Sequence, residues 1–262
     1  MSSASPDRST PASAYGSAAD QPAPVKPAAT VMLLRDTDGG LEVFMLRRTS
    51  NAAFAAGMYV FPGGRVDDAD FAVTADADEA HQLAAVRECF EEAGVLLAVD
   101  NAGGVVTDGH PVFSRRHDVH DGTVAVLDLL AEHGLRPALD ELVFMSHWVT
   151  PKGETSRRFD TRFFAVGSPA GQTSQHDDTE TVASMWVRPT DAVASFERGE
   201  LQLMPPTITN LRFLAPHASV AAAMEASRAV GRPPCILPKL RMVNGSIAGI
   251  SLPGDADYDG LD

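Results

Sequence analysis

The sequence predicts one α/β or α+β domain between two tails, on three observations. Apolar segments typical of strands alternate with segments of helical periodicity along the body of the chain. Hydrophobic residues make up 44% of the chain and charged residues 21%, as in ordinary globular proteins. At 262 residues the chain is also long enough to bury a substantial core.

The first predicted strands lie in the N-terminal part of the body. Residues 30–34 and 42–46 are apolar runs that flank a turn at Asp38-Gly39-Gly40. Residues 58–61 form a third apolar run, which ends at Pro62-Gly63-Gly64. We therefore expect a strand, a turn and two further strands before the first long helix.

A long helix is predicted over residues 78–93. Its apolar stripe recurs at offsets of three, four and three residues, which place the stripe on one helix face. The stripe consists of Leu83, Val86, Phe90 and Ala93. Gly94 follows directly and is predicted to cap the C-terminus of the helix.

The remaining elements continue the alternation of strands and helices. The further predicted strands are residues 95–99, 144–149, 158–166 and 184–187, and the further predicted helices are residues 123–133, 191–198, 207–214 and 220–230. Because strands and helices interleave across the whole body, the prediction is an α/β or α+β domain.

Both ends of the chain differ from the body in composition. Residues 1–27 are rich in Ser, Ala and Pro with almost no large apolar side chains, so they predict a disordered tail. Residues 253–262 contain four aspartates and predict a flexible acidic tail. The folded domain is therefore expected over residues 28–252.

Net charge and cysteine count limit the classes of partner. The chain has 21 Lys and Arg against 35 Asp and Glu, a net charge of −14, which argues against nucleic acid and against an anionic membrane as partners. A small anionic substrate stays compatible with this charge, because bound metal reverses the local sign. Two cysteines, no long apolar run and no N-terminal targeting pattern lead us to expect a cytoplasmic protein.

An acidic cluster on the long helix carries the clearest chemistry. Glu88, Glu91 and Glu92 stand three and four residues apart, so their carboxylates converge on one helix face. Their repulsion needs compensation, and hard oxygen ligands suit Mg²⁺ or Mn²⁺. Arg87 lies beside them and can orient Glu91. The alternative is an ordinary solvated helix face, since short acidic patterns are common.

The residues around this cluster resemble the Nudix box, whose pattern is G-x5-E-x7-R-E-U-x-E-E-x-G-U with U a bulky apolar residue. Pro62-Gly63-Gly64 precedes the helix and Gly94-Val95 closes it. The residues in register with the second half of the pattern are Arg87, Glu88, Glu91, Glu92, Gly94 and Val95, with Cys89 at the first apolar position.

The first half of the box departs from the pattern. Asp70 occupies the position of the first Glu, and sixteen residues separate it from Arg87, nine more than in the standard box. The chain therefore carries an insertion inside the box. Asp67 and Asp68 are alternatives to Asp70 for the role of the missing Glu.

An interrupted box of this kind is similar to that of the nudix motif 19 subgroup of acyl-coenzyme A diphosphatases. The similar segments are VFPGG at residues 60–64, WVTP at 148–151, RFDTRFF at 158–164, WVRP at 186–189 and LMPPT at 203–207. The likeness covers about residues 28–240. It implies a Nudix-type α-β-α sandwich with a mixed sheet, in which the box forms a loop, a helix and a loop.

The resemblance also implies roles for the box residues. Glu88, Glu91, Glu92 and Gly64 would lie at Mg²⁺ or Mn²⁺, and Arg87 would orient the carboxylates. Water would then attack a diphosphate, because metal ions bind phosphate oxygens and lower the pKa of water. The general base is Glu180, six residues before Trp186, or alternatively Glu91.

Candidate substrate-binding residues lie outside the helix. If residues 158–164 form a strand, Arg158 and Arg162 share one face and can grip phosphate, such as the 3′-phosphate of coenzyme A. The alternative is a surface ladder of these arginines with Asp160. Arg48 and Gly63 partly match the coenzyme A signature of related diphosphatases, although Ala53 replaces its second Arg.

The leading hypothesis is a hydrolase that cleaves coenzyme A or an acyl derivative to 4′-phosphopantetheine and 3′,5′-ADP. The alternatives are a Nudix pyrophosphatase acting on ADP-ribose, NADH or another nucleoside diphosphate derivative, and a catalytically weak nucleotide-sensing Nudix fold. Homodimers are common among Nudix enzymes, but nothing in the sequence identifies an interface.

Overall fold

The computed structural model describes five stretches of the chain and confirms the predicted fold class. These are residues 23–52, 55–153, 157–177, 179–244 and 246–261. Residues 1–22, which make up most of the predicted N-terminal tail, lie outside them, as do Ala53 and Asp262.

Twelve strands and seven α-helices occur in the described stretches. The strands are β1 Val25–Thr37, β2 Gly40–Arg48, β3 Tyr59–Val60, β4 Gly63–Arg65, β5 Ala98–Asp100, β6 Leu135–Pro137, β7 Val143–Val149, β8 Arg158–Gly167, β9 Thr181–Val187, β10 Cys235–Ile236, β11 Lys239–Val243 and β12 Ser246–Ser251. The helices are α1 Asp68–Ala72, α2 Ala77–Ala93, α3 Arg116–His120, α4 Val126–Glu132, α5 Pro189–Glu197, α6 Pro205–Leu214 and α7 Val220–Ala229. Among the described helices, none has the length and apolar character needed to cross a bilayer.

A mixed sheet of eight strands forms the middle layer. Its order is β10-β7-β8-β1-β2-β3, with β4 paired to β1 and β9 paired to β2. The central pair β1 and β8 is parallel, whereas β1 pairs with β2 and β4 in antiparallel fashion. The predicted mixed sheet is therefore confirmed.

Helices cover both faces of this sheet, so β1 is apolar on both sides. Val31 and Leu33 pack with α2, and Met32 and Leu34 pack with α5, α6 and α7. All four side chains are buried. A strand covered on both faces is expected to be a continuous apolar run rather than an alternating one, which is what residues 30–34 are.

Helix α2 follows the predicted boundaries closely. The side chain of Asp76 accepts a hydrogen bond from the backbone N–H of Asp78 and caps the N-terminus. Gly94 caps the C-terminus in the left-handed conformation, with φ of 67°, and a Cβ at this position would lie 2.8 Å from Arg116 Nη1. Position 94 therefore favours glycine both in conformation and in space.

Several short elements differ from the prediction. The strand expected over residues 95–99 is limited to Ala98–Asp100, because Val95 and Leu96 enter the core as irregular chain. Helix α1 lies between β4 and α2, around the position of the first Glu of the box, and the hairpin of β11 and β12 follows the last predicted helix. Elements of this length are too short to show a recognisable periodic pattern of hydrophobic residues.

Both predicted tail boundaries also change. Val25, Lys26 and Pro27 belong to β1, because the parallel ladder with β8 begins at the pair Val25 and Arg158. Near the C-terminus, Arg241 of β11 donates hydrogen bonds to Asp255 and Asp257 at 3.1 and 2.7 Å. Much of the stretch predicted as a flexible acidic tail is thus attached to the hairpin by ion pairs.

Candidate active site

Pro62, Gly63 and Gly64, which we call the glycine loop, lead into β4 and pass between the sheet and α2. The backbone N–H of Gly63 donates to Glu92 Oε2 at 2.9 Å. A Cβ on Gly63 would lie 2.4 Å from the carbonyl oxygen of Ala29, and a Cβ on Gly64 would lie 2.4 Å from Glu88 Oε1. Only glycine permits so close an approach of the loop backbone to the acidic face of α2.

We call the carboxylates of Glu88, Glu91 and Glu92 the box cluster. Their side chains are 13%, 12% and 6% exposed. Burial raises the pKa of Glu88 to about 7, and it also raises the pKa of Glu91 and, further, that of Glu92. Mutual repulsion adds to these upward shifts, as between Glu88 and Glu92. The cluster is therefore a buried site in which the nearby arginines do not offset the cost of three carboxylate charges.

Arg87 is the cation closest to the cluster. Its Nη1 atom donates to Glu88 Oε1 at 2.9 Å and to Glu91 Oε1 at 3.3 Å. Burial by itself lowers the pKa of Arg87, but the surrounding carboxylates outweigh burial and raise it. Arg87 thus contacts two of the three carboxylates, and its orienting role stays a prediction.

Asp70, at the position of the first Glu of the box, is a partner for Arg87. Asp70 is buried and accepts a hydrogen bond from Arg87 Nη2 at 3.0 Å and another from the backbone N–H of Asp67 at 2.9 Å. Arg87 Nη2 also donates to the carbonyl oxygen of Arg65 at 2.7 Å. Asp70 thus holds the arginine, while Asp67 lines the cavity described below and Asp68 is exposed.

Glu180 reaches the same site from the loop before β9. Arg48 lies between two carboxylates, with its Nη2 atom 3.3 Å from Glu180 Oε2 and its Nη1 atom 3.9 Å from Glu92 Oε1. The backbone N–H of Thr49 donates to the carbonyl oxygen of Glu180 at 3.1 Å. Arg48, predicted to bind substrate, therefore also joins the loop acid to the box cluster.

A cavity of about 510 Å³ opens in front of the box cluster. Its polar side includes Gly63, Gly64 and the three glutamates. Its other side is largely apolar and aromatic. The apolar wall is formed by Phe61, Trp148, Pro151, Phe159, Phe163, Met204, Pro206 and Pro238. A molecule with one anionic and one apolar part fits such a cavity.

Arg158 and Arg162 do not take the predicted place in this cavity. Side chains do alternate along β8, but it is Phe159, Thr161 and Phe163 that line the cavity. Arg158 is buried and donates to the carbonyl oxygens of Thr150 and Pro151 at 3.1 Å. Arg162 pairs with Asp78 at the start of α2. The prediction of phosphate-binding arginines at 158 and 162 is therefore wrong, because it assigned the strand faces in reverse.

Three cationic or titratable residues in the cavity were missed by sequence reasoning. Arg65 follows the glycine pair directly. Arg157 lies two residues before Phe159, and both line the cavity. His120 ends α3, and its Nε2 atom lies 3.5 Å from Thr179 Oγ1. The position of Arg65 next to Gly63-Gly64 is a signal that could have identified it.

The box cluster offers carboxylate oxygens that suit a divalent cation, but these oxygens do not form a complete set of metal ligands in the structure. Within the described stretches, no group of three or more His, Cys, Asp or Glu side chains is arranged to hold a metal ion. Arg87 instead bridges Glu88 and Glu91. Buried carboxylates with raised pKa values gain most from a bound cation, and their oxygens are ligands that Mg²⁺ and Mn²⁺ prefer.

Comparisons with known proteins agree with this geometry. A family profile described as "NUDT19 Nudix domain" matches residues 73–214. The acyl-coenzyme A diphosphatase NUDT19 of Homo sapiens is 30% identical, over 70% of this chain and 62% of its own length. That of Xenopus laevis is 27% identical, over 68% and 61%. The chain thus spans about three fifths of these relatives.

A solved structure shares the fold over most of the chain. The crystal structure of a NUDIX hydrolase from Alicyclobacillus acidocaldarius superposes with a TM-score of 0.70 and 28% sequence identity. The superposition covers 77% of this chain and 96% of the other. The match therefore extends well beyond the box helix.

Proposed function

Because the chain belongs to the NUDT19 Nudix domain family, we propose that it is a divalent-metal-dependent hydrolase of the diphosphate in coenzyme A or acyl-coenzyme A. The products would be 4′-phosphopantetheine and 3′,5′-ADP. The named activity of the relatives from Homo sapiens and Xenopus laevis supports the substrate class. We further propose a cytoplasmic location and a small-molecule substrate.

The box cluster is the observation that carries the proposal. Glu88, Glu91 and Glu92 are buried at the floor of a cavity, opposite a glycine loop that brings backbone close to them. These residues would hold Mg²⁺ or Mn²⁺, with the backbone of Gly64 beside them. When bound, the metal would coordinate phosphate oxygens, lower the pKa of water and stabilise negative charge.

The surrounding residues would fix the geometry of the cluster. Gly63 donates its N–H to Glu92 and so orients that carboxylate. Arg87 contacts Glu88 and Glu91, and Asp70 in turn holds Arg87. Outer partners of this kind orient ligands and typically affect activity by about 10- to 100-fold.

Two residues are candidates for the general base. Glu91 is mostly buried, and burial raises its pKa, which is the direction that favours a general base. Glu180 is 57% exposed and paired with Arg48 at the cavity rim. We expect replacement of the true base by Gln to remove the acidic limb of the pH profile of kcat and to lower kcat by about 100-fold or more. The pH profiles of E91Q and E180Q, measured side by side, identify it.

A substrate panel tests the proposed activity. Purified full chain with Mg²⁺ or Mn²⁺ is compared on coenzyme A, acyl-coenzyme A, NADH and ADP-ribose by kcat/KM. We expect the highest kcat/KM on the coenzyme A compounds and loss of activity with EDTA. Highest kcat/KM on NADH or ADP-ribose would assign the alternative substrate class. Nucleotide binding with no turnover of any compound would indicate a sensor.

A further inference from the structure

The side of the cavity next to the glycine loop is the face of a regular sheet, so its residues can be placed by strand register. Two neighbouring rungs run across it. The first rung is Gly63 of β4, Thr30 of β1 and Phe163 of β8, and the second rung is Arg65 of β4, Ala28 of β1, Thr161 of β8 and Trp148 of β7. Every one of these residues lines the cavity. Adjacent rungs are two residues, or about 7 Å, apart along the strands.

Arg65 is fixed at the edge of the second rung. Its carbonyl oxygen accepts the hydrogen bond from Arg87 Nη2, so its backbone is tied to the helix that carries the box cluster. Its side chain is exposed in the cavity. Within the described part of the chain, its guanidinium forms no ion pair with a carboxylate, although Asp67 is only two residues away.

The other cavity arginines near the cluster are already paired with acids. Arg87 contacts Glu88, Glu91 and Asp70, and Arg48 contacts Glu92 and Glu180. Arg157 lies just before β8 and precedes Thr161 by four residues, or about 13 Å along an extended chain. Among the described arginines of the cavity, Arg65 is therefore the one beside the first rung that has no ion pair with a carboxylate.

We propose that Arg65 binds a second phosphate, carried by the ribose of the nucleotide half of the substrate. This inference rests on the proposed function, which puts the cleaved diphosphate at the first rung beside the box cluster. A phosphate on the ribose lies one sugar away from that diphosphate, which corresponds to the step from the first rung to the second. A guanidinium can bind a phosphate dianion with two parallel hydrogen bonds.

The predicted consequence is substrate selection. Nucleoside diphosphate derivatives that carry a ribose phosphate are bound better than the same compounds without it. Arg65 takes over the phosphate-binding role that the sequence assigned to Arg158 and Arg162, whose guanidinium groups are occupied by carbonyl oxygens and by Asp78.

Ligand binding without turnover tests the assignment directly. The dissociation constants of 3′,5′-ADP and 5′-AMP are measured by calorimetry for wild type, R65Q, R65K and R157Q. We expect R65Q to reduce the preference for 3′,5′-ADP over 5′-AMP by about tenfold, since charge-assisted hydrogen bonds are lost. R65K should keep part of the preference. R157Q removes the same charge from the same cavity and should keep the preference.

Hydrolysis of coenzyme A and 3′-dephospho-coenzyme A provides the second readout. R65Q should lower the ratio of the two kcat/KM values by about tenfold. An equal loss on both substrates would overturn the proposal and assign Arg65 to the diphosphate. Equal changes of the ratio in R65Q and R157Q would also overturn it, because loss of one positive charge anywhere in the cavity would then explain both results. If neither compound is hydrolysed, the proposed function fails, and the binding preference still decides the role of Arg65.

Discussion

Two acidic clusters in this chain have opposite environments. The box cluster of Glu88, Glu91 and Glu92 is mostly buried, and burial raises the pKa of each glutamate. The tail cluster, which we define as Asp255 and Asp257, lies at the surface around Arg241. Hydrogen bonds from Arg241 and Ser251 lower the pKa of Asp257.

The contrast distinguishes acidic residues whose ionisation stabilises the fold from acidic residues that the fold holds together although their ionisation is disfavoured. In the tail cluster the exposed carboxylate of Asp257 is paired with Arg241, so its ionisation favours the folded state. In the box cluster ionisation is disfavoured, and the fold keeps the glutamates together at the cost of stability. Strongly perturbed carboxylates at a cavity are expected where a ligand or metal supplies the missing charge.

The largest expected effect comes from breaking the box cluster at Glu92. We expect E92Q to lower kcat at least about 1000-fold, because a proposed ligand of the metal is lost and with it several kcal/mol of transition-state stabilisation. The fold should be retained, since an amide oxygen can still accept from Gly63. Activity with Mg²⁺ and the circular dichroism spectrum provide the measurement.

Glu79 offers a matched control on the same helix. It lies in the first turn of α2, is exposed and bonds to Thr74 rather than to the cavity. E79Q makes the same chemical change and should keep wild-type kcat. Near-normal activity of E92Q would contradict the metal assignment.

The next effect concerns Asp70, which supports the box cluster through Arg87. We expect D70N to lower kcat by about 10- to 100-fold with little change in KM, because Arg87 loses its buried anionic partner and no longer orients Glu88 and Glu91. The free energy of unfolding should fall by about 1–3 kcal/mol. D68N changes an exposed aspartate in the same short helix and should have neither effect.

The sequence alone predicted the position of the box cluster but not the contact between Asp70 and Arg87. The box cluster could be predicted because its spacing of three and four residues is local to one helix, whose stripe and cap are also local. The role of Asp70 could not, because α1 has five residues and its contact with Arg87 crosses seventeen positions of sequence. Local patterns determine which residues share a helix face, but not which short segment packs on it.

The faces of β8 illustrate the same limit in a strand. The alternation of Arg158 and Arg162 with Phe159 and Phe163 follows from the sequence. Which face meets the cavity depends on α2 placing Asp78 beside Arg162, and on carbonyl oxygens beside Arg158. The prediction assigned Phe159 and Phe163 to the core, whereas both of them line the cavity. Alternation fixes two faces but does not tell which of them a ligand uses.

A smaller effect concerns the pH dependence of stability without metal. The pKa of Glu88 is about 7 in the folded protein and 4.5 for an ordinary glutamate. Folded protein therefore binds more protons, and its stability should fall as pH rises from about 4.5 to 7. Thermal unfolding in EDTA should show this fall, and Mg²⁺ at pH 7.5 should reverse it. E88Q should flatten the curve. A metal-free stability that rises across this range would contradict the buried-charge interpretation.

The smallest effect is expected from the tail cluster. The lowered pKa of Asp257 means that its contribution to stability is present above the ordinary aspartate pKa of 3.8 and is lost as pH falls below that value. D257N should therefore lower Tm at pH 7 by about 2 °C or less, because exposed ion pairs contribute little. It should leave kcat unchanged, since Asp257 does not line the cavity. A tenfold loss of activity in D257N would show that the two clusters are coupled through the hairpin, whose neighbour Pro238 lines the cavity.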